Sequence, residues 1–191
     1  MRLWTIQPID VFNQVMSVDG YRVNVNHPDY CGNSDEEFKK AYAWLHNRAV
    51  KRGLKDNGHG LIWSWYLFDI AYGHRKPDVR TIRKMYGHPG EEMCCMTLEV
   101  PEGKVLLIDS DKWSSCICGN PCLTEEQIEM SDEEYKKWFD ELYALPEVER
   151  HRYIETTWDL VFDTREAEAI EAIFFGLDRS MIKAVQFFTR K

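Results

Sequence analysis

The chain reads as an α+β protein on a mainly antiparallel sheet, and three observations predict it. Strand-like runs stand at both ends and in the middle of the chain; capping boxes and helical spacing group the helices between them; Pro101-Glu-Gly103 and Asp178-Arg-Ser180 punctuate neighbouring apolar runs as tight turns would.

The elements follow in order. Residues 3–7 alternate around Trp4 and Ile6 and stop at Pro8, which suits a strand running into a helix whose first turn accepts proline. Ser34 and Glu37 form a capping box ahead of Phe38, Ala41, Tyr42, Leu45 and Ala49, so a helix is expected over residues 35–52, bounded by Gly53. The aromatic and β-branched run 61–68 has the profile of a buried strand, with 55–60 and 73–89 as exposed loops. Residues 93–100 and 104–109 read as two strands of a hairpin across the Pro101–Gly103 turn. Thr124 with Gln127 and Ser131 with Glu134 each open a helix, and Tyr135, Trp138, Phe139 and Leu142 make one apolar stripe. Pro146 begins a further helix at a position where its missing N–H costs little. Residues 170–177 and 181–188 form a second hairpin expectation.

Composition narrows the function classes. A chain of 191 residues fits one domain, 1–191, and 44% hydrophobic residues with seven tryptophans disfavour disorder. A net charge of −8 repels the phosphate backbone and argues against stable binding to duplex DNA. The opening residues lack an apolar signal core, and no apolar run approaches the ~18 residues of a membrane helix, so a cytoplasmic protein with no membrane partner is expected. Cysteines 31, 94, 95, 116, 118 and 122 are then expected as thiols. Neither an internal repeat nor a low-complexity segment interrupts the chain.

The common catalytic signatures G-x-S-x-G, the P-loop and G-x-G-x-x-G do not occur, so an active site here has to be assembled from scattered residues. Cys116, Cys118 and Cys122 offer three local thiolates where structural zinc needs four ligands; Cys31 or a distant histidine would have to supply the fourth, and ordinary thiols are the simpler reading. The six histidines form no H-E-x-x-H pair and receive no role. Glu171 is different. In an extended strand it projects on the same face as Ile173 and Phe175, and a carboxylate on an apolar face needs a partner or a purpose. The alternative is a strand-end glutamate in water or in an ion pair. Trp63 and Trp65 share a strand face while Tyr66 takes the other, as core aromatics or as surfaces on which a base can stack. Asp109 can cap the helix that follows it.

Leu3-Trp4-Thr5-Ile6-Gln7-Pro8, Ala41-Tyr42-x-Trp44, Trp63-x-Trp65-Tyr66, Lys76-Pro77-Asp78-x-Arg80, Leu107-x-Asp109-x-Asp111-x-Trp113, Trp158-x-x-Val161-Phe162-Asp163 and Ile170-Glu171-Ala172-x-Phe174 span nearly the whole chain. Together they resemble a bacterial family known as a domain of unknown function. A more distant likeness is to the ADP-ribosyltransferase superfamily, whose members open with a strand and helix and close with a glutamate-bearing strand. That likeness implies a split sheet with NAD⁺ in the cleft. It further implies Glu171 as the catalytic carboxylate, Thr5 and Gln7 in the first-strand role, Trp65 or Tyr66 stacking the nicotinamide, and Arg80 facing the pyrophosphate. Thr5 and Gln7 stand where many superfamily members carry histidine or arginine. The physics behind the likeness is that loss of nicotinamide leaves positive charge on the ribose, which a fixed carboxylate in a water-poor cleft stabilises. It also implies a toxin–antitoxin or phage-defence setting, with a protein antitoxin or a nucleic-acid acceptor as partner. The competing expectation is a non-enzymatic module in which Trp63, Trp65 and Trp113 hold a nucleotide, single-stranded nucleic acid or protein.

Overall fold

The computed structural model describes residues 1–17, 20–25, 36–68 and 75–191; Ser34, Cys31, Gly73, His27 and His74 lie outside these. Six strands build one open antiparallel sheet: β1 (Arg2–Pro8), β2 (Leu61–Leu67), β3 (Glu92–Glu99), β4 (Leu106–Asp109), β5 (Ile170–Phe175) and β6 (Ile182–Thr189), in the order β4-β5-β2-β1-β3-β6. Pro8 closes β1 and α1 (Ile9–Ser17) follows at once, as its ring geometry favours.

The two expected hairpins do not form. β3 pairs along its length with β1, from Arg2 opposite Glu99 to Pro8 opposite Met93, and its other edge is taken by β6. β5 lies between β2 and β4. A strand has two edges, and long-range partners occupy both here; the alternating directions of the sheet make β4 run the same way as β3, and β6 the same way as β5, so neither connection folds back as a hairpin. The Pro101–Gly103 signal does mark a turn, a short 3₁₀ segment over Glu102–Lys104.

The sheet is one body rather than the split pair of sheets expected, but it carries a seam. β1 and β2 meet in register only at Trp4 opposite Trp65. Beside that pair, the fully buried Thr5 hydroxyl donates to the Trp63 carbonyl oxygen at 2.7 Å and accepts from Gln7 Nε2 at 2.9 Å. A buried carbonyl needs a donor, and the threonine hydroxyl supplies one here.

Strand alternation assigns the two faces. Leu3, Ile62, Met96, Leu98 and Phe174 point to one face, where Val15 of α1 and Leu177 complete a buried cluster. The other face carries Ile108, Trp63 and Ile173 under α2 (Glu36–Lys51), α4 (Ser110–Ile117) and a 3₁₀ turn over Trp158–Phe162. Farther along the same face, Trp4 and Cys95 pack with Ile82 of α3 (Val79–Ile82), a short helix inside the stretch expected as loop. On this face Trp63 stacks on Trp113 at 5.3 Å, and Tyr42 of α2 meets both rings.

Local signals predicted the helices well because caps act within one turn. Both capping boxes are made, Thr124 with Gln127 opening α5 (Glu125–Ile128) and Ser131 with Glu134 opening α6 (Asp132–Ala144). Pro146 precedes α7 (Glu147–Thr157). Gly176, just past β5, has φ +76°, and a Cβ there would lie 2.8 Å from the Arg22 guanidinium, which ion-pairs with Asp178 at 2.7 Å.

Candidate functional site

Glu171 is the second residue of β5, with Trp65 of β2 opposite it on one side and Ile108 of β4 on the other. The register shifts just past Trp65, where the β2–β5 ladder is irregular. Next to the carboxyl is the start of α4, anchored by a Ser110 N–H bond to the Ala169 carbonyl at 3.1 Å. Asp109 caps that helix: its Oδ1 accepts from the backbone N–H groups of Asp111 at 2.9 Å and Lys112 at 3.1 Å, and its Oδ2 lies 3.2 Å from Lys112 Nζ.

Burial dominates the electrostatics of Glu171. Its side chain keeps some contact with solvent, yet Oε2 is covered and has no hydrogen-bond partner among the described residues. Removal from water pushes its carboxyl up to about 7, against an opposing pull from a Ser110 hydrogen bond. Such a group changes protonation near neutrality, the range in which a carboxyl serves as acid, base or electrostatic stabiliser.

Trp65 is held in place. Its Nε1–H donates to the Tyr86 hydroxyl at 3.1 Å, and Phe68 meets its ring edge-on at 5.0 Å. Tyr86 follows α3, where its N–H bonds the Ile82 carbonyl at 2.9 Å. Burial raises the Tyr86 phenol to about 12; the Trp65 hydrogen bond opposes this, while the Glu171 charge adds to it. Burial likewise pushes the Cys95 thiol up to about 11, with Lys76 pulling it down. Glu171, Trp65 and Tyr86 therefore form a polar and aromatic patch between two apolar clusters on one face of the sheet.

Of the residues that the superfamily likeness implied, only Glu171 and Trp65 come together. Thr5 and Gln7 pair across from Met96 and Cys94 on the opposite face, where Thr5 is committed to the seam. Tyr66 points to that opposite face too, under the Arg75 guanidinium at 4.7 Å. Arg80 is exposed on α3, and its backbone N–H bonds the Asp78 side chain at 3.0 Å. Trp63 and the buried Trp113 turn their rings to each other in the core, which leaves Trp65 as the aromatic beside Glu171. Tyr86 and Ser110 are the residues that sequence reasoning missed. Tyr86 lies in a stretch without periodicity, and Ser110 sits directly behind a capping aspartate that already explained the local pattern.

The cysteines are thiols among the described residues. Cys116 and Cys122 are buried with their Sγ atoms 3.5 Å apart, and Cys122 Sγ also approaches the Lys112 carbonyl at 3.4 Å. The contact with Cys122, reinforced by burial, drives the Cys116 thiol strongly upward. Cys118 is exposed, and among the described residues no group of three or more histidine, cysteine or acidic side chains could hold a metal ion. No helix among the described residues is long and apolar enough to cross a membrane.

No curated protein and no solved structure matches the chain. A family model described as "Domain of unknown function (DUF3841)" matches residues 2–183, which take in β1 to β5, the described helices and the first two residues of β6, and the chain belongs to that family.

Proposed function

We propose that this protein is an NAD⁺-dependent ADP-ribosyltransferase-like enzyme of the toxin or phage-defence kind, with Glu171 as its catalytic carboxylate. The observation that carries the reading is the covered, unpartnered Oε2 of Glu171 beside the fixed ring of Trp65. A carboxylate removed from water acts on nearby positive charge with little screening, so ionised Glu171 would stabilise charge developing on a ribose held against it. Trp65, tied by Tyr86, supplies a flat surface for a nicotinamide ring at that position. Neither Thr5 nor Gln7 takes part, because both lie behind the sheet.

The same displacement of Thr5, Gln7 and Tyr66 favours a second reading, a non-enzymatic nucleotide-binding module that uses Trp65 and lacks first-strand support for chemistry. Nicotinamide release separates the two. On the first reading the wild type liberates nicotinamide from NAD⁺ and Glu171→Gln lowers the rate by about 10²-fold or more, the scale of a lost electrostatic stabiliser. Tryptophan quenching by NAD⁺ with no nicotinamide released supports the second. Equal release by wild type and Glu171→Gln removes Glu171 from the chemistry.

A further inference from the structure

α6 is an amphipathic helix that is left largely uncovered. It buries only Leu142. Tyr135, Phe139 and Tyr143, four residues apart, form an aromatic ridge, with Phe139 and Tyr143 stacked at 4.2 Å and Tyr135 6.1 Å from Phe139. Arg150 of α7 lies over the Tyr143 ring at 5.0 Å and continues the ridge. In the same stretch of chain Ile128 is 65% exposed and Val148 72%, and Tyr135, Tyr143, Leu145 and Tyr153 are each more than a third exposed. More than half of the exposed large apolar side chains among the described residues thus fall within this one short stretch, where scattered single ones are the norm.

Charge is equally concentrated. Residues 124–149 hold ten acidic side chains against Lys136 and Lys137, a net −8 equal to that of the entire chain. Five of them, Glu125, Glu126, Asp132, Glu133 and Glu134, stand in the first turns of α5 and α6. An apolar ridge on a segment of strongly negative net charge is suited to a ligand that is apolar on one side and carries the opposite sign. A second copy would bring like charge against like charge, and nucleic acid would be repelled by the same field.

We infer that the α5–α7 face is a docking surface for a basic, amphipathic helical segment of a partner protein, whose apolar side covers the Tyr135–Phe139–Tyr143 ridge and whose lysines and arginines meet the surrounding carboxylates. The occupant sits outside the Glu171 patch. The inference therefore stands whether or not the Glu171 reading holds.

The test uses the full chain and two labelled synthetic peptides. One is a lysine–leucine helix with leucines at i, i+3, i+4 and i+7, and the other has the same composition scrambled to lose its apolar face. Fluorescence polarisation at low and physiological salt should show the amphipathic peptide binding at least about tenfold tighter than the scrambled one, since the apolar anchors carry the difference. Tyr143→Ser/Val148→Ser should weaken that binding by about tenfold. Glu129→Lys/Asp140→Lys should weaken it and flatten its salt dependence. All four positions are exposed, and unchanged thermal melts establish that the variants fold. Equal affinity for the two peptides, or for wild type and both variants, overturns the proposal. So does sedimentation showing a dimer that Tyr143→Ser/Val148→Ser dissolves, because a second copy then covers the face.

Discussion

Glu171 and Trp65 face each other across the β5–β2 ladder, a carboxyl with one covered, unpartnered oxygen beside an indole tied to Tyr86. The carboxyl is expensive where it stands, since burial alone holds its proton to about 7.

Stability should fall as pH rises through neutrality. The folded protein keeps the Glu171 proton up to about 7, while an ordinary glutamate releases it near 4.5. The group's contribution is therefore full below 4.5 and lost as pH rises through 7. Glu171→Gln, which cannot ionise, should remove this decline and exceed the wild type at alkaline pH by on the order of 2 kcal/mol, allowing for water that reaches part of the side chain. Chemical denaturation across the pH range gives the measurement.

Activity should run the other way. Because the ionised form stabilises the developing ribosyl charge, kcat/KM for NAD⁺ should rise with pH and level off above about 7. A rate profile flat across that range would separate Glu171 from catalysis.

Thr5→Val should cost about 1–3 kcal/mol, because it leaves the Trp63 carbonyl and Gln7 Nε2 without their buried partner at the seam. NAD⁺ binding by the folded variant should be unchanged, since Thr5 lies on the face opposite Glu171. Urea unfolding and calorimetric titration read the two effects separately.

Asp109→Ala should lower stability by about 1–2 kcal/mol through loss of the α4 cap, and loosen Ser110 beside Glu171. Hydrogen exchange at the Asp111 and Lys112 amides should accelerate in the variant.

Gly176→Ala should destabilise by about 1–2 kcal/mol, since φ +76° is costly for a residue with a Cβ, and by more once the Arg22 guanidinium is displaced. Thermal unfolding tests it.

What could be read from the chain was whatever acts within a few residues. Thr124, Ser131 and Pro146 announce their helices because a cap satisfies donors in the very next turn. Trp63 with Trp65, and Glu171 with Ile173, each reveal a shared face within their own strand because strand alternation has a period of two, while the register of β2 on β5 brings the two pairs to one side. Strand partners were not legible. Pro101–Gly103 reads as a hairpin turn, but which strand lies beside β3 depends on β1 and β6, some ninety residues away on either side. The site was half visible for the same reason. Glu171 stands out as a carboxylate in an apolar run, whereas Tyr86 joins it only through a short helix that no periodicity marks, and the two faces of β1 separate Thr5 from Glu171 in a way that single residues do not show.

Glu171 is a carboxyl largely removed from water, and a cationic ligand is what its covered oxygen lacks. Carbon NMR of the glutamate side chains, assigned by the signal missing in Glu171→Gln, should show one carboxyl titrating near 7 and moving on addition of NAD⁺. A Glu171 signal titrating with ordinary surface glutamates, and indifferent to NAD⁺, would contradict it.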